Sequence, residues 1–177
     1  MKPYKKISSS KKVQVRNMFN SISNEYDFLN KIMTFGNDTL WRRKIYALAK
    51  ESNPKKILDI ATGTADIAIE LTSIENCKIT GLDISSKMLS IGQTKIDKLK
   101  LNRNISLERG DAENLKFNDA TFDVVTIGYG VRNFTNLKNS LNEIYRVLKK
   151  DGLFIILETS LPTNRLMRFF YNIHTKF

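Results

Sequence analysis

The sequence predicts an α/β fold, a doubly wound and mostly parallel sheet with helices on both faces. Three observations carry that expectation. From Ile57 onward, short apolar runs alternate with stretches of helical periodicity. The stretch "KKILDIATGTADIAIEL" at 55–71 stops an apolar run at a carboxylate and a small-residue turn, then continues as a helical pattern. Acidic residues recur where successive apolar runs end.

Two helical patterns come first. Val15, Met18, Phe19, Ile22, Tyr26 and Leu29 fall on one face of a single helix. A second helix starts after "GNDT", where Asn37 or Asp38 is placed to cap it; Trp41, Ile45 and Leu48 form its apolar stripe, and "SNP" at 52–54 stops it. Strands are then predicted at Ile57–Ile60, Lys78–Asp83, Ile105–Arg109, Phe122–Ile127 and Leu153–Glu158. Helices at Ala65–Ile74, Ser86–Leu101 and Asn136–Lys149 lie between them, and the polar "GDAENLKFNDAT" reads as loop. Such alternation implies right-handed crossovers and therefore parallel strands. The organisation expected is a flexible basic arm (1–12), a helical cap (13–53), an α/β core (54–160) and an apolar tail (161–177) whose Leu166, Met167, Phe169, Phe170 and Ile173 have little to pack against.

With 177 residues, 41% hydrophobic and 27% charged, the chain has the make-up of one soluble globular domain. No apolar run approaches the roughly 18 residues that span a bilayer. The opening "MKPYKKISSSKK" is basic but lacks the apolar core of a secretory signal. The single cysteine, Cys77, has no intramolecular disulfide partner, which fits a reducing cytoplasm. Net charge is +11. Its lysines are scattered, with no basic block interleaved with aromatics, so no nucleic-acid partner is expected; transient contact with an anionic membrane surface is. No metal site is expected.

In doubly wound sheets, ligands bind outside the carboxyl ends of the strands. Four features fall there. Asp59 ends the first run beside Gly63, which lets backbone approach a ligand. Asp83 ends the second, about 20 residues after the glycine, where an acid accepts from ribose hydroxyls. Asp111 and Ala112 follow the third. "IGYGVRN" follows the fourth and brings Arg132 and Asn133 to the same rim. Each alone has an ordinary structural explanation, as cap, turn residue or surface ion pair; their arrival at consecutive strand ends is the signal. A dinucleotide site wants glycines that bring a pyrophosphate onto a helix N-terminus. Here Ala65 and Asp66 stand in that region, and a carboxylate opposes a pyrophosphate but suits a cation. The sulfonium cofactor S-adenosylmethionine fits the turn better than a nicotinamide dinucleotide.

From about Val15 to Ser160 the chain resembles the ubiquinone/menaquinone biosynthesis C-methyltransferases, within the class I S-adenosylmethionine-dependent methyltransferases. "FNSISNEYDFLNKIMTFGNDTLW" resembles the family's N-terminal signature, "LDIATGTAD" with "GLDISSKML" its cofactor site, and "FDVVTIGYGVRNF" with "RVLKKDGLFIILETS" its fourth- and fifth-strand signatures. The resemblance implies a Rossmann-like fold, with Thr64 at the methionine end of the cofactor, Asp83 at the ribose and Asp111 and Ala112 at the adenine. Departures are Gly128 where the family has a side chain after strand four, Asp38 in place of a histidine before the tryptophan, and Lys150-Asp151-Gly152 in place of Pro-Gly-Gly. Family members also continue beyond the fifth strand with a sixth and an antiparallel seventh. The expectation is therefore a sheet lacking its last strands, with an open edge that favours self-association into a homo-oligomer.

The resemblance further implies methyl transfer to a ring carbon of a prenylated quinol. Arg132 is the candidate to stabilise the developing phenolate, and Tyr26 and Asp27, sharing a helix face with Asn30, are candidates at the substrate end. The lone histidine, His174, lies beyond the recognised region. Phe28, Ile32, Met33 and Phe35 offer an apolar surface for an isoprenoid tail. Demethylmenaquinol and the benzoquinol precursor of ubiquinone both stay open as substrates. So do another small-molecule methyltransferase and a non-catalytic cofactor-binding fragment. A nucleic-acid amino-methyltransferase would carry an Asn/Asp-Pro-Pro-aromatic motif after strand four, and this chain has "IGYG".

Overall fold

The computed structural model describes residues 8–159. The apolar tail pattern and His174 lie outside the described residues. Helices α1 (Lys11–Ile22), α2 (Tyr26–Met33) and α3 (Asp38–Glu51) precede β1 (Lys56–Ile60). Then follow α4 (Asp66–Leu71), β2 (Lys78–Asp83), α5 (Ser86–Lys98), β3 (Ile105–Arg109), β4 (Phe122–Gly128), α6 (Leu137–Val147) and β5 (Leu148–Leu157), with one 3-10 turn at Val131–Asn133. The strands form one sheet in the order β3-β2-β1-β4-β5, and every pairing is parallel. The order reverses between β1 and β4, which opens a crevice at their carboxyl ends.

β1 is apolar because it is central: Ile57, Leu58, Asp59 and Ile60 are all buried. Its alternation feeds two cores. Ile57 packs with Ile45 and Ala49 of α3, Ala68 and Leu71 of α4 and Ile96 of α5 on one face. Leu58 and Ile60 pack with Val125 and Ile127 of β4 and Ile144 and Val147 of α6 on the other. Fully burying such a side chain contributes about 1.5–3 kcal/mol, so these two layers hold the crevice rigid.

The amino-terminal region departs from the expected single helix. The chain turns at Ser23–Glu25, where the Ser23 hydroxyl donates to the Asn20 carbonyl (3.2 Å) and Glu25 N–H to the Ile22 carbonyl (3.1 Å). That break aims α2 separately from α1 and brings Tyr26 over the crevice. α1 also starts inside the expected arm, with Ser10 as N-cap accepting from Val13 N–H. In α3 the buried stripe is Ile45 and Ala49, whereas Leu48 is exposed, and neither Asn37 nor Asp38 caps the helix through its side chain. Instead Asp38 pairs with Arg42 one turn on. β5 begins earlier than expected because Leu148 already pairs with Phe122; the ladder then shifts, and Val124 meets Leu153. Among the described residues, no helix is long and apolar enough to cross a membrane.

Candidate active site

Two adjoining recesses open at the carboxyl ends of the strands. The larger is an open recess of about 700 Å³ counting the solvent at its mouth, lined by the ends of β1, β2, β3 and β4, with Lys12, Val15, Phe19 and Tyr26 from the amino-terminal helices above. The second, about 510 Å³, lies between the β1 turn, α2, α3 and Leu157. They share Tyr26, Ala61, Gly63, Gly128 and Tyr129, so this group forms the border where they adjoin.

The β1 turn is built around Gly63, at φ +57, flanked by Ala61 (φ 55) and Ala65 (φ 68). Left-handed backbone at two alanines is strained, and small side chains make it tolerable. Asp59 holds the turn. Its carboxylate is fully buried and accepts from the Thr62 hydroxyl (2.6 Å) and the Thr126 hydroxyl (2.7 Å). Burial pushes its pKa up to about 6, and the two hydroxyls only partly offset that. Asp59 therefore does not point out toward a ligand. It lines neither recess and acts by locking the turn to β4.

Asp83 does face the larger recess. One carboxylate oxygen accepts from Gly63 N–H (2.9 Å) and the other from Ser85 N–H (2.8 Å). A carboxylate has about four acceptor positions, so capacity remains for two ligand hydroxyls. Desolvation raises its pKa against those backbone donors. Asp111 and Ala112 line the far end; the Asp111 carboxylate pairs with Lys12 and accepts from Glu113 N–H (3.0 Å). Three carboxylates, of Asp83, Asp111 and Glu113, thus face this recess against the single ammonium of Lys12. That set suits ribose hydroxyls and an ammonium and opposes a pyrophosphate, so the residues present fit S-adenosylmethionine. The arm assigned as flexible supplies Lys12; nothing in its composition signalled that role.

Thr64 and Asp27 are placed otherwise than expected. The Thr64 hydroxyl, buried, donates to Asp27 Oδ1 (2.6 Å) and accepts from Lys95 Nζ (3.0 Å). Lys95 also pairs with Asp27 Oδ2 (2.6 Å) and Asp66 Oδ1 (2.6 Å). Asp66 is thereby paired within the protein, while it stays partly exposed at the second recess. Asp27 lines neither recess, and this cluster fastens α2 to α4 and α5. Thr64 lines only the second recess.

Arg132 lies beside the recesses rather than in their lining. Its guanidinium donates to Glu158 Oε1 (2.7 Å) and to the Thr159 hydroxyl (2.5 Å), which makes it a half-exposed brace at the end of β5. Tyr26, by contrast, stands at the shared border and lines both recesses, with its ring edge-on to Phe19 at 6.0 Å. Burial raises its pKa. Sequence reasoning passed over Tyr129, which stands at the same border although it lies inside the quoted "IGYG". Gly128 before it leaves room for the terminal methyl of Ile67, which would have to shift for a Cβ there.

A parallel sheet with a ribose-type acid after β2, a second acid after β3 and a phosphate-averse first turn defines a class I S-adenosylmethionine-dependent methyltransferase. The model of the ubiE/COQ5 methyltransferase family matches residues 6–177, and the chain belongs to that family. A demethylmenaquinone methyltransferase of Staphylococcus epidermidis is 41% identical over 172 residues, covering 96% of this chain and 70% of that protein. One from Bacteroides fragilis is 39% identical over 177 residues, covering 99% and 72%. Among solved structures, YcgJ from Bacillus subtilis superposes with a TM-score of 0.63 at 25% identity, covering 75% of this chain and 56% of that one. A SAM-dependent methyltransferase from Aquifex aeolicus superposes with a TM-score of 0.67 at 20% identity, over 82% of this chain and 76% of that one; that likeness speaks for the fold.

Proposed function

We propose that the chain methylates a ring carbon of demethylmenaquinol, the substrate class named by its relatives, with the larger recess holding the cofactor and the second holding the quinol ring. The observation that carries this reading is that the two recesses adjoin at Tyr26, Ala61, Gly63, Gly128 and Tyr129. A methyl group has to cross from one bound molecule to another, and two adjoining recesses suit that; the passage for the methyl group would lie at this border.

When bound, S-adenosylmethionine supplies an electrophilic methyl group, which an electron-rich ring carbon takes with loss of a proton. Asp83 would hold the ribose hydroxyls, and Asp111 with Ala112 would border the adenine. Asp59, Thr62 and Thr126 keep the turn in place, so the cofactor side of the passage is preorganised. Tyr26 closes the passage from above and excludes water. Phe28, Ile32, Met33 and Phe35 on and after α2 are exposed and offer the apolar surface an isoprenoid tail needs; with Lys31 beside them they also suit transient contact with the cytoplasmic face of an anionic membrane.

The test is transfer of labelled methyl from S-adenosylmethionine to demethylmenaquinol. Label recovered in the ring supports the reading. Label recovered in the benzoquinol analogue alone moves the substrate to the ubiquinone branch, and label in neither overturns it.

A further inference from the structure

We infer that Tyr129 is a second substrate-contacting residue of this site: its hydroxyl donates a hydrogen bond to the ring oxygen of the acceptor and holds the ring at the passage. The inference rests on the two-seat reading above and adds a residue to it.

Four observations converge on Tyr129. It lines both recesses, at the one place where they meet. Its hydroxyl is shielded from solvent and has no hydrogen-bond partner among the described residues. A buried hydroxyl without a partner is costly, and native structures keep such groups where a ligand completes them. The residue is also held at φ 56, in the left-handed region, which a bulky side chain adopts only where the surroundings enforce it. What enforces it is visible: Tyr129 N–H donates to the Leu157 carbonyl (2.8 Å), and the ring sits edge-on to Trp41 at 6.4 Å. The backbone is pinned to β5 and the ring to α3, while the polar end is left for something else.

The chemistry of the surroundings says what that is. Burial first, and the nearby Asp38 carboxylate next, push the hydroxyl up to about 12, so it stays protonated at neutral pH and acts as a donor. The second recess carries Arg42 paired with Asp38 and 3.7 Å from Asp66, the hydroxyl residues Thr62 and Thr64 and the amide residue Asn30, beside apolar Ile67 and Leu157. Such a lining offers both polar partners and apolar wall to a flat ring that carries a hydroxyl group. Loss of the ring hydroxyl proton to water leaves negative charge on the ring oxygen, and that charge feeds the attacking ring carbon. The new carbon–carbon bond takes the ring's electron pair, the carbon–sulfur bond pair returns to sulfur, and the displaced proton leaves the ring carbon as the ring oxygen regains one. A hydrogen bond from Tyr129 favours the deprotonated ring that attacks and fixes its orientation.

Tyr129→Phe removes the hydroxyl and keeps the ring against Trp41. Two measurements are made on wild type and variant: titration with 1-naphthol as a stable ring-hydroxyl probe, and methyl transfer to demethylmenaquinol, with S-adenosylmethionine affinity as the control. The expected result is naphthol binding weaker by about five-fold, turnover lower by roughly ten- to a hundred-fold, and cofactor affinity unchanged. Equal naphthol binding by the two proteins, or failure of the wild type to bind naphthol, overturns the inference. If the wild type binds naphthol through Tyr129 yet transfers no methyl to the quinol, the proposed substrate fails and the assignment of Tyr129 stands.

Discussion

Lys95 Nζ and Asp27 Oδ2 meet at 2.6 Å across the seam between the amino-terminal cap and the α/β core. The same ammonium holds Asp66 at 2.6 Å and the Thr64 hydroxyl at 3.0 Å, so one cation ties α2, the β1 turn and α4 together. The orientation of the cap over the cofactor cleft depends on this tie, because α2 itself buries none of its residues fully.

Replacing Lys95 with Met should therefore loosen the cap. Asp27 and Asp66 are left facing each other without a cation, and stability is expected to drop by about 1 kcal/mol, modest because both carboxylates are partly exposed. Urea unfolding would read the loss, and it should shrink at molar salt as repulsion is screened. A deficit independent of salt would speak against an electrostatic tie.

Asp59 gives the protein a pH signature. Its pKa in the fold, about 6, lies above its ordinary 3.8, so the folded state holds the proton more tightly than the unfolded state. The contribution to stability is present below the ordinary value and is lost as pH rises through about 6. Asp59→Asn keeps an acceptor for a threonine hydroxyl and removes the titration. The difference in unfolding free energy between wild type and variant is expected to vary between pH 4 and 6 and be flat above; a difference flat across the whole range would remove Asp59 as the source.

Arg132→Ala should leave cofactor affinity within about two-fold of wild type, because the side chain lines neither recess. The lost ion pair with Glu158 is half exposed and contributes at most about 1 kcal/mol. Calorimetry and turnover together check this. A turnover loss of about a hundred-fold or more in a stably folded variant would return the guanidinium to the reacting ring.

Exposed Phe28 and Phe35 make a membrane test direct. Sedimentation with anionic vesicles is expected to bring the protein down at low salt and less at high salt, and a Phe28→Ser, Phe35→Ser pair should weaken binding about ten-fold or more. Sedimentation untouched by salt and by the double substitution would exclude this surface.

The sheet was legible because its signals are local. Apolar runs of strand length, bounded by Lys78 and Asp83 or by Ile105 and Arg109, need no knowledge of their neighbours, and those two strands fall at their expected bounds. The acids after β2 and β3 follow from strand-end logic alone. What stayed hidden depends on partners remote in sequence. Asp59 looks like Asp83 in the chain, but Thr62 and Thr126 close over it, and Thr126 is 67 residues away. Asp27 and Asp66 looked free until Lys95 met both. The break between α1 and α2 carries no proline or glycine, so the shared apolar periodicity ran straight through it. Tyr129 has no motif value; only the meeting of two recesses marks it.

The central claim is that the cleft between the ends of β2 and β3 is the cofactor seat. Calorimetric titration of S-adenosylmethionine into wild type and Asp83→Asn tests it most directly. Saturable binding by the wild type, weakened about ten-fold or more in Asp83→Asn without loss of fold, is the result predicted. Equal affinity in the two proteins, or no binding by the folded wild type, would contradict it.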